Sequence, residues 1–517
     1  MYFRLINKKD IIYSLIIILI SIVLFYFFHK NKQWFHGDIE NTIFIYNSLH
    51  PYFDLPNPNL QYPGTFSYII NSLIFKIFIN DFNSFSEIID LEDPTIFLNH
   101  TLKVFINIQF FYYTSFLLIV FQIFKKIIND SELSFLITLL LIFSSPFLYL
   151  VQILRIENDA LFFFSLSFLF FIKFLEKDSY IYFFLFLFSL IVMLFIKVIF
   201  VFTLYSYIFL ILFFKYEKIK NNFCYKNFLK TIFTVNLIYF FILFLIQNYV
   251  AKSIEYSAII FSTFTYGLVF GSIYYFLKLN KININKILLT SFLVVILILI
   301  IIYYFKASNV NIFYVLYPYE LLVNEHNKNF ESVGLDWISL FLSVIKKIFA
   351  NISNFKITIL EIVILLSLPF LKIEKKKFLF LIILLFNYLL FKISYLVKYH
   401  HYYETITFFI LFLMFSSLAF NLKKKIILMI LCCFIIINFN YAFISPLSPF
   451  TSNNRIDNKI SNLKILNDFC KLSNLTNEEF KNLDHNYEYA LYYTPKLFNQ
   501  SMIDKVCLIE YKKINLL

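Results

Sequence analysis

Uninterrupted apolar runs about 17 to 22 residues long recur along most of the chain, parted by short polar stretches. A helix of that length crosses a hydrocarbon core roughly 30 Å thick. Backbone polar groups in lipid have no water to pair with, so each run must satisfy its own as a helix. The pattern predicts about 13 spans, at 11–28, 103–124, 133–150, 160–175, 180–196, 198–214, 228–247, 258–277, 287–305, 355–371, 378–396, 406–420 and 426–441. The first follows Arg4, Lys8 and Lys9 as a secretory leader would. It is long for one, and Phe28-His29-Lys30-Asn31-Lys32 has no small-residue cleavage site, so it reads as a retained anchor.

Composition agrees. The 517 residues are 60% hydrophobic and 15% charged, whereas soluble domains are nearer half apolar and a quarter charged. The fold class expected is an all-α polytopic membrane protein. With 73 Phe in the chain, Phe-rich stretches read as lipid-facing filler rather than aromatic motifs. The net charge of +13 does not point to nucleic acid, because the basic clusters are short and sit between spans.

Those clusters set an orientation. Lys125-Lys126, Lys173 with Lys177, 215–230, 278–286, 372–377 and Lys423-Lys424-Lys425 fall in alternate connections. The other connections are poorer, with Arg155, Lys197, Lys252, Lys306 with Lys328, and Lys398. The positive-inside rule assigns the first set and the N-terminus to the cytoplasm. Residues 1–444 then form the multispan domain, with outer loops at 29–102 and 306–354. The second loop ends in an amphipathic stretch near 337–350 that suits the interface. Residues 445–517 form a polar outer tail or small mixed domain. Cys470 and Cys507 lie in that tail, where they pair or stay free thiols.

The chemistry-bearing residues gather on the outer side in this reading. Trp34-Phe35-His36-Gly37-Asp38-Ile39-Glu40 follows the first span, and Leu154-Arg155-Ile156-Glu157-Asn158-Asp159-Ala160 makes a short turn between two others. Glu320, Glu325 and His326 lie in the second long loop, and Lys398-Tyr399-His400-His401-Tyr402-Tyr403-Glu404 precedes a late span. Charges near membrane depth are costly and are usually paired or functional. Each cluster has a plain structural alternative. Asp38 suits a helix N-cap with Glu40 in the first turn. Arg155 with Glu157 and Asp159 suits an internal salt bridge. Lys398 and its histidines suit interfacial snorkelling. The functional alternatives are a general base at Asp38, assisted by Glu40 or His36, and cations at Arg155, Lys398 and His400 that meet an anionic substrate. No His-x-x-x-His or Cys-x-x-Cys spacing is present, and no metal or cofactor is called for, although the two carboxylates leave room for a divalent ion. The chain also lacks a glycine-rich phosphate loop and a Gly-x-Ser-x-Gly elbow, which excludes ATP-driven transport by this chain alone and common serine hydrolase chemistry.

A cytoplasmic N-terminus, one span and an outer loop opening on an acidic motif resemble the GT-C superfamily, above all its protein-mannosyltransferase and aminoarabinose-transferase branch. Asn57-Pro58-Asn59-Leu60-Gln61-Tyr62-Pro63-Gly64-Thr65 is similar to the segment preceding that family's next apolar helix, and the Arg155–Asp159 stretch to its Arg-then-Asp turn. Motifs carry the likeness over about 1–180, and architecture carries it beyond. The family often has an Asp-Glu doublet; here Ile39 separates the acids, so either Asp38 or Glu40 answers to the base. The resemblance implies an inverting glycosyltransferase, moving a hexose or pentose from a polyprenyl-phosphate donor to a lipid, glycan or protein acceptor. It implies Asp38 as base, Glu40 as second carboxylate, Arg155, Lys398 and His400 toward the phosphate, and Asp159 as an orienting group with His36 and Glu157 nearby. The expected location is a bacterial plasma membrane, with the site facing the periplasm or exterior.

The main alternative is a multispan transporter or lipid-linked-glycan flippase, which usually shows repeats and Gly/Pro-broken helices near the midplane. This chain has 5 Gly and no fixed-period repeat. An O-antigen ligase or polymerase would centre on loop arginines, and before the tail the outer loops hold only Arg155.

Overall fold

The computed structural model describes residues 8–29, 65–78, 94–153, 156–249, 256–280 and 282–304, with short fragments at 48–49, 382–385, 409–410 and 508–509. Among the described residues the secondary structure is helical and no strand occurs. In chain order the helices are α1 (Lys8–His29), α2 (Thr65–Phe78), α3 (Pro94–Ile128), α4 (Ser131–Ile142), α5 (Ser145–Ile153) and α6 (Glu157–Lys177). Then come α7 (Tyr180–Ile196), a 3-10 turn (Val198–Leu204), α8 (Tyr205–Asn222), α9 (Tyr225–Tyr249), α10 (Tyr256–Leu279) and α11 (Ile284–Tyr304). Stretches of α1, α3, α6, α9 and α11 are long and apolar enough to cross a membrane. This is a membrane protein.

Seven expected spans each coincide with one helix: 11–28, 103–124, 160–175, 180–196, 228–247, 258–277 and 287–305. Two do not. The 133–150 run breaks into α4 and α5 at Phe143-Ser144, because Pro146 has no N–H to return to the carbonyl four residues back. Ser144 closes the break by donating its hydroxyl to the Leu141 carbonyl at 2.7 Å. The 198–214 run opens as a 3-10 turn, where Thr203 donates to the Phe200 carbonyl at 2.6 Å and Ser206 to the Thr203 carbonyl. Hydroxyls bonded to nearby carbonyls in this way compete with regular helix. The four later spans, the 306–354 loop and the 445–517 tail lie outside the described residues, apart from the short fragments. Within 29–102, read as a loop, α2 is a helix of 14 residues.

One stripe of each helix meets protein. Asp10, Ile17, Ser21, Phe25 and His29 of α1 are buried, while Leu15, Leu19, Ile22 and Tyr26 are exposed. The buried stripe sets α1 on α3 through Tyr13 against Phe121 and Phe25 against Phe110, and on α4 through Tyr13 stacked on Phe135 with ring centroids 4.5 Å apart. The centre of the core is α6, held between α3, α7 and α8. Its Phe164, Phe168 and Phe171 are fully buried around Tyr207. Phe409 packs into the same core, its ring centroid 5.2 Å from that of Phe164.

Helices α9 and α10 approach closely at two of the chain's 5 glycines, Gly267 and Gly271. A Cβ at Gly267 would lie 2.2 Å from Asn236 Oδ1 and 3.0 Å from the Asn236 Cα; at Gly271 it would lie 3.1 Å from the Ile232 Cα. In lipid, apolar surfaces gain little from leaving their surroundings, so close backbone packing is what joins helices. Gly267→Val is therefore expected to weaken the pair by about 1–3 kcal/mol, the usual penalty of overpacking. Gly271→Ala meets a milder approach and should cost less. Thermal unfolding of the purified protein in detergent checks both, and an unchanged midpoint for Gly267→Val would refute the close contact.

The two ends of the bundle differ. At one end Lys125 pairs with Asp10, Lys126 with Glu176 at 2.8 Å, and Lys215 with Asp178 at 3.7 Å. Among the described residues, this end carries Lys125, Lys126, Lys173, Lys177 and Lys215 of the first set of connections. Asn129 and Asp178, both at left-handed φ (60° and 52°), make its turns, as Asn and Asp tolerate. At the other end lie His29, the end of α5, the start of α6 and Lys197 after α7.

Candidate functional site

The site is built where α6 begins. Two acids stand in its first turn, Glu157 and Asp159, where the unpaired N–H groups of a helix start favour negative charge. Ile156 at the N-cap makes no side-chain cap, so the acids carry that role without an Asx-type cap. Both are almost completely buried. Burial of a carboxylate is costly unless its oxygens are engaged, and each acid has a separate solution.

Asp159 is held by neutral donors. The Ser67 hydroxyl of α2 donates to its Oδ2, and Gln109 Nε2 of α3 donates to its Oδ1 at 2.7 Å. Asn158 Nδ2 in turn donates to Gln109 Oε1 at 3.0 Å. The Gln109 amide thus spends its nitrogen on Asp159 and its oxygen on Asn158. Three helices from distant parts of the chain meet at this one carboxylate.

Glu157 is held by a cation. Helix α7 runs back antiparallel to α6, so its end returns to the start of α6, and Lys197 Nζ lies 2.8 Å from Glu157 Oε1. The Lys197 backbone is extended (φ −149°, ψ 104°) and its N–H bonds to the Met193 carbonyl at 2.9 Å. The ammonium therefore also stands at the negative end of α7. The Glu157 side chain is 1% exposed and that of Lys197 11%, so the pair sits where water screens little of its attraction.

Beside these groups, His29 Nε2 lies 2.6 Å from the Val151 carbonyl. The last residue of α1 is thereby tied to the last turn of α5.

Of the sequence-predicted residues, Glu157 and Asp159 fall in this network, both in the first turn of α6. Among the described residues Glu157 pairs with Lys197, and Asp159 with Ser67 and Gln109; the internal salt bridge expected with Arg155 falls on a residue outside the described ones. His36, Asp38, Glu40, Arg155, Lys398 and His400 lie outside the described residues, as do Cys470 and Cys507. Four members of the network were not singled out as site residues in the sequence: Ser67, Gln109, Asn158 and Lys197. Their signal was a polar side chain inside or at the end of an apolar run, which marks an inward-facing position.

No family model, curated protein or solved structure matches this chain. Among the described residues, no group of three or more His, Cys, Asp and Glu side chains is close enough to hold a metal ion. Chemically, the arrangement supplies a fixed carboxylate with both oxygens occupied and a neutral, buried Glu–Lys pair. Asp159 is thus suited to holding its neighbours in place. Its engaged oxygens do not suit it to abstracting a proton.

Proposed function

We propose that this chain is an inverting glycosyltransferase of the GT-C type, transferring a sugar from a polyprenyl-phosphate donor to an acceptor at the outer face of a plasma membrane. The observation that supports it best is the contact between His29 and the Val151 carbonyl. Asp38 follows His29 by nine residues, and Arg155 follows Val151 by four. The described residues from which the chain runs on toward these two polar clusters, His29 and Val151, therefore share one end of the bundle with the buried acids of α6. Phe409 on the Phe164 ring adds that the chain following the Lys398–Glu404 cluster returns to this same core.

The chemistry asks for two things. A base must take the proton of the acceptor hydroxyl as it attacks the anomeric carbon, and cations must stabilise the departing phosphate. In this reading Asp38 is the base and Glu40 the second carboxylate. Arg155, Lys398 and His400 face the phosphate. Asp159, locked by Ser67 and Gln109, keeps α2, α3 and α6 in register beneath them. The C–O bond to the phosphate breaks as the bond to the acceptor oxygen forms, with inversion at the anomeric carbon.

The purified full chain, incubated with radiolabelled polyprenyl-phosphate sugars and cell-envelope extract, is expected to move label to an acceptor. Label that crosses a sealed vesicle unchanged would instead identify a transporter, and no movement of any donor would refute the transferase.

A further inference from the structure

Among the described residues at the basic end of the bundle, Lys173 and Lys177 share one aromatic ring and no carboxylate. Lys173 and Lys177 stand four residues apart on the last turns of α6, and both approach one ring: Lys173 Nζ lies 5.7 Å and Lys177 Nζ 5.4 Å from the Tyr182 centroid. Lys173 also lies 5.9 Å from the Phe170 centroid, and Phe170 stacks on Tyr182 at 6.4 Å. The nearest acids in sequence are already engaged, Glu176 by Lys126 and Asp178 by Lys215. Like charges at this spacing on a helix repel. The negative end of α6 and the aromatic faces offset part of that repulsion, but neither supplies a counter-charge.

The position identifies the missing partner. Lys177 ends a helix long and apolar enough to span a membrane, so both ammonium groups stand at head-group depth. We propose that Lys173 and Lys177, with Tyr182 between them, form a binding site for the phosphodiester of an anionic glycerophospholipid. The phosphate sits between the two ammonium groups, and the acyl chains lie along the apolar surface of the α6–α7 hairpin, where Ile181 is exposed. Basic sites at the end of a helix pair take anionic head groups in this way. The site is at the opposite end of the bundle from Asp159 and is independent of the transferase reading.

The test titrates the purified full chain in detergent with dioleoyl phosphatidylglycerol, dioleoyl phosphatidylcholine and glycerol 3-phosphate, counting adducts by native mass spectrometry. Phosphatidylglycerol should bind in preference to phosphatidylcholine, and glycerol 3-phosphate should not compete. The Lys173→Gln/Lys177→Gln variant should bind phosphatidylglycerol about 30-fold more weakly. Lys173→Arg/Lys177→Arg should keep binding, as should a control with Lys218→Gln/Lys220→Gln, two exposed lysines at the end of α8. Should the double Gln variant fail to fold, each single Gln variant should still weaken binding about fivefold. Equal binding of the two lipids overturns the proposal. So does undiminished phosphatidylglycerol binding by the Gln variants, or an equal loss in the control. Competition by glycerol 3-phosphate would overturn the lipid as the source of the phosphate.

Discussion

Asp38→Asn is expected to abolish the proposed sugar transfer while the protein folds and inserts as before. Asparagine keeps the shape of the side chain but cannot take a proton, so an attacking hydroxyl loses the group that makes it nucleophilic. General-base removal of this kind lowers turnover by roughly 10²- to 10⁴-fold. The loss should fall on kcat, with donor KM little changed, because the base acts on the acceptor proton in the transition state rather than on the bound donor. Radiolabel transfer under saturating donor measures it, alongside an unfolding midpoint that shows the fold intact. Near-normal turnover would remove Asp38 from the role. Glu40→Gln is the companion measurement. If it is the null variant and Asp38→Asn is active, the two acids exchange roles, which their separation by Ile39 permits.

The helices themselves were legible because length and polarity are local properties. The bounds expected for α7 coincide with the structure, and those of α1 and α6 differ by a few residues at most. The break at Phe143 was less legible. Pro146 is a single residue in an apolar run, and a hydropathy window averages it away. Helix α2 was passed over for a related reason: at 14 residues it is about 21 Å long, too short for the span criterion.

The site was only half legible. Glu157 and Asp159 stood out as charges beside a span, but their partners did not. Lys197 read as the connection between two spans. Its match with Glu157 exists only because α7 folds back antiparallel on α6. Gln109 lies in the middle of α3, and whether it faces lipid or protein depends on the rotation of that helix against α6. No local pattern encodes either fact. Both polar groups carry the same mark, though, a hydrogen-bonding side chain where lipid-facing positions would be apolar. Reading every such residue as a hidden partner would have found them.

Lys197→Met is expected to be among the most destabilising single substitutions in the described bundle. Methionine fills the space of the lysine stem but takes the Lys197 cation away from the Glu157 carboxylate, whose side chain is 1% exposed. Removing one partner of a buried pair costs about 3–5 kcal/mol, chiefly the penalty of the uncompensated charge. The matching variant Lys197→Met/Glu157→Leu removes both charges of the pair, and should recover most of the loss in thermal unfolding. That recovery separates two contributions the single variant confounds. If Glu157 and Lys197 serve only to seat α7 on α6, the double variant should carry out the proposed transfer as fast as the unaltered chain. If it is stable yet inactive, the pair also takes part in the chemistry at that end of the bundle. A single variant as stable as wild type would instead mean that Glu157 becomes neutral or finds another donor, and that the ion pair does little to hold the two helices together.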